Sequence, residues 1–214
     1  MATAVRDVMT TRVISVLESA TYKDIVTLLH RNRVSAVPVL DSGGRVTGVV
    51  SEADLLAKQT APALPTGAVR LAWRLRERTK ASAVTAAELM TSPAVTVTAD
   101  AEVATAARAM RDRRVKRLPV VDSDGRLAGI VSRVDVLSVY ERPDDRLEAE
   151  IVTGVIAGLF VLDPVCFDVT VRSGIVTITG QVESAAVALS LLGAVRGVEG
   201  VVAVRDRLSY PAAH

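Results

Sequence analysis

Two tetrapeptides hold the residue types best suited to chemistry in this chain: Ser51-Glu52-Ala53-Asp54 and Ser132-Arg133-Val134-Asp135. Each ends an apolar run and opens a helix-compatible one, so the serine falls at a helix start with the aspartate three residues on. Two uses fit that spacing. In a capping box the serine side chain satisfies an amide of the first turn while the acid reaches back to the serine amide. An acid in the first turn also suits the helix dipole. As a ligand site, the free amides and the hydroxyl receive a phosphate, and the carboxylate accepts hydrogen bonds from two vicinal hydroxyls. The two uses are compatible, the cap being the empty state of the ligand site.

No other set of residues suggests a reaction. The single cysteine, Cys166, excludes an internal disulfide, and His30 and His214 make no metal cluster. There is no Ser/His/Asp or Cys/His set and no phosphate-cradling glycine loop. The expectation is a protein that is not an enzyme, with no metal and no catalytic cofactor. Cys166 sits in an apolar stretch and is expected to be a small buried hydrophobe. Met9, Met90 and Met110 read as core, and His30 as helix surface.

Composition narrows the partners. Of 214 residues, 50% are apolar and 23% charged, which suits a globular chain, while 3% aromatics leave few platforms for stacking single-stranded nucleic acid. Residues 58–84 carry Lys58, Arg70, Arg74, Arg76, Arg78 and Lys80 against Glu77, a net of +5. Residues 144–214 carry 9 acidic and 5 basic side chains, a net of −4 that opposes anionic lipid surfaces. Ala68–Lys80 is predicted to be a basic helix containing the only tryptophan, Trp73; the one aromatic and six cations of the whole 58–84 linker support at most non-specific nucleic-acid contact. A solvated or dimer-facing helix is the expectation. The longest uncharged stretches, Ile151–Leu162 and Ser184–Val195, are far short of the roughly 20 residues a membrane helix needs. The first residues, MATAVRDVMT, lack the apolar stretch of a signal peptide, so a cytoplasmic protein is expected.

The elements that position the two tetrapeptides are duplicated. VSAVPVLDSGGRVTGVVSEADLL from Val34 aligns with VKRLPVVDSDGRLAGIVSRVDVL from Val115, and Met9 aligns with Met90, all at an offset of 81 without a gap. Each copy predicts a short strand (Ile14–Val16; Val95–Val97) and a helix. The helical faces are Tyr22, Ile25, Val26, Leu29 and Val103, Ala106, Ala107, Met110. Two strands follow, joined at Gly44 or Gly125, and then a second helix, giving β-α-β-β-α twice. Units this small cannot each bury a full core, so they are expected to pack on one another. After Pro143 the order changes to α-β-β-α-β: a helix Asp144–Leu162, strands Phe167–Arg172 and Ile175–Gly180, a helix Ser184–Val195 and a strand Val201–Leu208.

The D-V-M-T start, the strand with Pro38 or Pro119, and the G-h-V-S-x-x-D-L junction, taken in duplicate, resemble a tandem pair of CBS domains over residues 5–140. The V-x-V-x-x-G-I-V-T-I-T-G-x-V pattern, followed by Gly197-Val198-Glu199-Gly200-Val201, resembles a BON domain. The implied fold is α/β, with CBS units at 1–58 and 85–142 packed as a pseudo-twofold pair. A basic linker at 59–84 joins them, and a BON-like domain occupies 143–214.

The resemblance implies an adenine nucleotide (ATP, ADP or AMP) or related adenosyl ligand between the repeats, with dimerisation through the CBS pair. At aligned positions the first copy has Ser35, Ala36 and Glu52, and the second Lys116, Arg117 and Arg133, a local charge of −1 against +3. The expected tight site is therefore Ser132, Arg133, Asp135, Lys116 and Arg117, with Val13 and Ile14 against the base. Ser51, Asp54, Ser35 and Ala36 form the expected weaker site. A regulatory sensor that relays occupancy to the BON-like domain, a dimer partner or an effector protein follows. The alternative is an interaction or membrane-surface adaptor in which the BON-like domain binds lipid or protein and the CBS pair only dimerises.

Overall fold

The computed structural model describes residues 3–56 and 84–211; the expected basic helix with Trp73, and His214, lie outside the described residues. The chain divides into two compact units, residues 4–133 and residues 134–214 joined by the first three residues.

In the first unit each repeat builds one three-stranded sheet. Strands β1 (Val16–Leu17), β2 (Ala36–Leu40) and β3 (Val46–Ser51) lie in that order, as do β4 (Val97–Thr98), β5 (Arg117–Val121) and β6 (Leu127–Ser132). The first pairing in each sheet is parallel and the second antiparallel. Pairing starts only at Val16↔Val39 and Val97↔Val120, so the first strands begin two residues later than the sequence suggests. The hairpins close as expected on Gly44 (φ +80°) and Gly125 (φ +78°), with Asp41 and Asp122 accepting amide hydrogen bonds inside the turns.

Helix α1 spans Val5–Val8, α2 Tyr22–Asn32, α3 Glu52–Leu56, α4 Ala86–Leu89 and α5 Val103–Asp112. Thr21 caps α2: its hydroxyl oxygen accepts from the Asp24 amide, and the Asp24 carboxylate accepts from the Thr21 amide and hydroxyl. Those bonds, the hydroxyl's first, hold the Asp24 pKa below its ordinary value. Ile25 and Leu29 are buried, but Val26, expected beside them, is exposed. The buried stripe of α2 is therefore narrower than its apolar content.

The two repeats exchange their first helical turns. Val5 and Arg6 donate amides to the carbonyls of Ala101 and Ala99, and Ala86 and Ala87 donate to those of Ala20 and Glu18. Ala86 and Leu89, from the second copy, are fully buried in the core formed by Val16, Ile25, Leu29, Val37, Val39 and Val50 of the first. Two reciprocal backbone pairs, Thr10 with Ile130 and Val49 with Thr91, join the copies with hydrogen bonds of 2.9–3.2 Å. Neither repeat is a self-contained unit of sequence. Met110 is buried as expected, whereas Met9 and Met90 are half-buried where the copies meet, each lying over a glycine of the other copy, Gly129 and Gly48.

Helix α6 (Arg133–Leu137) leads into the second unit. There α7 (Asp144–Glu150) continues as a π-helix, Ile151–Leu159, rather than as the single α-helix expected to Leu162. Thr153 donates its hydroxyl to the Ala149 carbonyl at that junction. Strands β7 (Phe167–Arg172), β8 (Ile175–Gln181) and β9 (Ala203–Ser209) form a sheet in that order, antiparallel then parallel, covered by α8 (Ala185–Arg196). The last strand starts two residues later than expected because Val201 is still in a turn and Val202 donates to Gly174. Arg142 ties the unit together, donating to the Glu199 carbonyl at 2.8 Å and to the Glu150 carboxylate at 2.5 Å. Its guanidinium holds the Glu150 pKa below the ordinary value, against a smaller opposing effect of burial.

Cys166 is exposed, contrary to expectation. It closes a 3-10 turn, Pro164–Cys166, in which Asp163 accepts from the Val165 amide and Val165 also faces outward. The apolar run there is surface turn.

Candidate functional site

A cavity of about 480 Å³ opens in the first unit, within the size range of small-molecule sites. Its walls come from both repeats. The first contributes Ser35, Ala36, Val49, the Ser51–Asp54 tetrapeptide and Leu56; the second contributes Thr91, the segment Pro93–Val95 and the segment Arg114–Arg117.

Backbone geometry explains this meeting. Ala36 and Ser51 are paired across β2 and β3, and the Glu52 amide donates to the Ser35 carbonyl, so one end of the first sheet gathers Ser35, Ala36, Ser51 and Asp54. The Val49–Thr91 bridge brings Thr91 and the residues after it to the same end.

At the centre is Asp54. Its Oδ2 accepts from the Ser51 amide at 2.9 Å and the Ser51 hydroxyl at 2.7 Å, and its Oδ1 from the Thr91 hydroxyl at 3.4 Å. The back-reaching half of a capping box is therefore present. The carboxylate already gathers two hydroxyl donors, the same chemistry that a pair of vicinal ligand hydroxyls presents. The same cavity is lined by Pro93, Ala94 and Val95, which are apolar, and by the cations Arg114, Lys116 and Arg117. Arg117 is half-buried and reaches across the repeats, donating to Ser35 Oγ at 2.8 Å and to the Ala36 carbonyl at 3.4 Å.

The structure thus brings together Ser35, Ala36, Ser51 and Asp54, expected as one group, but adds Lys116 and Arg117, expected beside Ser132. The acids of this cavity therefore come from one copy and its cations from the other. Arg133 directs its guanidinium to the Val115 carbonyl, with N···O distances of 3.1 and 3.3 Å. Ser132 and Arg133 belong to the first unit and Asp135 to the second, so that tetrapeptide straddles the division of the chain. Val13 and Ile14 are half-buried, and Ile14 packs against the core of the first repeat. Sequence reasoning missed Thr91, Pro93, Ala94, Val95 and Arg114. The offset of 81 carried a signal for two of them, since Ala94 and Val95 align with Val13 and Ile14.

Among the described residues no cluster of His, Cys, Asp or Glu could hold a metal ion, and no helix is long and apolar enough to cross a membrane.

Residues 5–60 and 86–142 match the model of the CBS domain, together more than half of the chain. The chain belongs to the CBS-domain family. Its C-terminal segment, residues 144–212, matches the BON domain. Among relatives of this CBS-domain protein, a Methanocaldococcus jannaschii protein is 27% identical over 149 residues, covering 62% of this chain and 88% of that one. The chloroplastic CBS domain-containing protein CBSX1 of Arabidopsis thaliana is 29% identical over 134 residues, covering 56% of this chain. Those residues span 55% of CBSX1, about half its length. The crystal structure of CBSX2 in complex with AMP is 31% identical, with a TM-score of 0.56, and covers 63% of this chain and 93% of its own.

Proposed function

We propose that this CBS pair is a non-enzymatic regulatory module that binds an adenine nucleotide or a related adenosyl ligand in the Ser51–Asp54 cavity. One observation carries the proposal: a carboxylate already gathering hydroxyl donors lines the same cavity as an apolar segment and three cations. The chemistry of a nucleoside phosphate divides in the same three ways. Ribose hydroxyls replace those of Ser51 and Thr91 on Asp54, the base lies against Pro93–Val95, and a phosphate meets Arg114, Lys116 and Arg117. AMP in the 31%-identical CBSX2 structure supports the choice of ligand class.

The ligand touches both repeats and therefore favours whichever arrangement of the two fits it best; regulation follows from that differential affinity. Helix α6 starts directly after Ser132 and leads into the BON domain, which makes this domain, or a second copy of the chain, the recipient of the signal.

Titration calorimetry of the full chain with AMP tests the proposal. Asp54→Ala removes the acceptor of two charge-assisted hydrogen bonds and should weaken binding about a hundredfold. Asp135→Ala should leave this site near its wild-type affinity. AMP affinity unchanged in a folded Asp54→Ala variant would sink the assignment.

A further inference from the structure

The outer face of the BON sheet sorts charge that the domain total conceals. The registers of β7, β8 and β9 set Asp168, Thr179 and Arg207 in one row and Thr170, Thr177 and Arg205 in the next, and Arg172 opens a third. Strand alternation turns Val169, Val171, Val176 and Ile178 into the core and leaves these rows outside. Thr177 is half-buried and the other six are exposed. Of the five cations and nine acids of residues 144–214, three cations and one acid lie in these rows, a local +2 on a segment of net −4. An ordinary solvated sheet face accounts for the threonines but not for this sorting. Arg172, Arg205 and Arg207 make no ion pair or hydrogen bond with another described residue. Asp206, between two of them in sequence, alternates to the opposite face and accepts from the Leu208 amide at 2.8 Å.

The chemistry of the face selects among anionic partners. Arginine forks suit carboxylates and phosphates alike. The threonine hydroxyls, however, both donate and accept, and the Asp168 carboxylate only accepts. A phosphate backbone brings acceptors alone and meets Asp168 as a like charge, and the rows carry no aromatic side chain to stack a base. A peptide brings carboxylates for the arginines and amide N–H groups for the hydroxyls and Asp168. Spacing agrees: Arg205 and Arg207 stand two residues apart on one strand, roughly 6.7 Å, as do alternate side chains of an extended peptide. A second copy of this face does not fit, because two-fold stacking would set arginines against arginines.

We propose that the outer face of the BON sheet docks an extended acidic segment of a partner protein. Carboxylates at alternate positions of that segment meet Arg205 and Arg207, and a further one meets Arg172. The assignment holds whatever ligand the CBS cavity takes.

Fluorescence anisotropy of the full chain with a short labelled peptide alternating Ser and Glu tests it. Binding should saturate and should weaken as salt is added. A peptide of the same composition with its glutamates in one block should bind severalfold less tightly. Arg205→Glu with Arg207→Glu should weaken the alternating peptide on the order of tenfold, through the loss of two exposed ion pairs. Arg146→Glu with Arg196→Glu makes the same change of charge on helices α7 and α8 and should leave affinity within about twofold. Arg172→Gln and Arg205→Gln, each expected to cost about twofold, decide the matter if the doubly reversed face does not fold. No saturable binding, equal affinity for the block peptide, or equal loss in the two double variants would overturn the proposal. So would tighter binding of a deoxythymidine oligonucleotide or of phosphatidylglycerol vesicles than of the alternating peptide.

Discussion

Gly48→Ala is a sharp test of how the two repeats are joined. Gly48 lies on β3 opposite Val39, and its open side is covered by Met90 of the other copy. A Cβ built at Gly48 would lie 2.8 Å from Met90 Cγ and 2.9 Å from Met90 Cβ, closer than real Cβ atoms approach. Met90 Cβ cannot rotate away, because Met90 caps α4 and the next residue, Thr91, exchanges two backbone hydrogen bonds with Val49. Relief of the clash must therefore pull on that bridge. Overpacking costs about 1–3 kcal/mol and each strained hydrogen bond up to about 1 kcal/mol, so roughly 2–4 kcal/mol is expected in total. For a unit of this size that lowers the melting temperature by roughly 8–15 °C.

At Gly129→Ala, its counterpart, only the mobile Met9 Sδ comes within 3.0 Å of the new Cβ, at 2.6 Å, with the Thr10 carbonyl oxygen at 3.1 Å and Met9 Cγ at 3.2 Å. At Gly48 the Sδ, Cγ and Cβ of Met90 are all that close. Gly129→Ala should cost less, about 1–2 kcal/mol. Adding Met9→Ala to Gly129→Ala should show a favourable coupling of at least about 1 kcal/mol. Adding Met90→Ala to Gly48→Ala should recover less, because the offending Cβ remains. Urea denaturation of the four variants of each cycle is the assay. A Gly48→Ala cost within about 0.5 kcal/mol of zero, or the absence of coupling between positions 129 and 9, would refute this account of the junction.

Two further outcomes concern the BON domain. Glu150 has a lowered pKa in the folded state, so the stability it contributes is present above its ordinary value of 4.5 and is lost as pH falls through the folded value. Glu150→Gln should therefore flatten the acid limb of the melting-temperature profile of the BON transition, and an unchanged limb would contradict the Arg142 contact. Asp144 accepts from the Ser173 and Gly174 amides at 2.7 and 2.9 Å, tying α7 to the β7–β8 turn. Asp144→Ala should destabilise that domain by about 1–2 kcal/mol and Asp144→Asn by less, read from denaturant midpoints; equal effects would count against the paired acceptance.

Much of the fold was legible because the duplication is ungapped. Pro38 with Pro119 and Gly48 with Gly129 fixed the equivalent strands, and Gly44 with Gly125 fixed the turns. What could not be read is which copy a segment packs on. The turn Val5–Val8 is as compatible with one repeat as with the other, and only the backbone bonds to Ala101 and Ala99 show that it crosses over. Which cations accompany which tetrapeptide was equally hidden: counted by copy Lys116 and Arg117 go with Ser132, and in the structure they line the cavity of Ser51 and Asp54. Local pattern also failed at Cys166 and Val26, where apolar type suggested burial but a turn and a narrow helix stripe leave both outside. The π-helix at Ile151–Leu159 has the composition of an α-helix, and nothing in its periodicity distinguishes the two.

In the proposed binding mode one ligand site draws its hydroxyl-binding residues from the first repeat and its phosphate-binding residues from the second. A crystal structure of the full chain grown with AMP tests it most directly. The ribose hydroxyls are expected on Asp54, the base against Pro93–Val95 and the phosphate within hydrogen-bond distance of Arg117. AMP bound instead at Ser132 with the Ser51–Asp54 contact intact, or a phosphate turned away from Arg117, would contradict it.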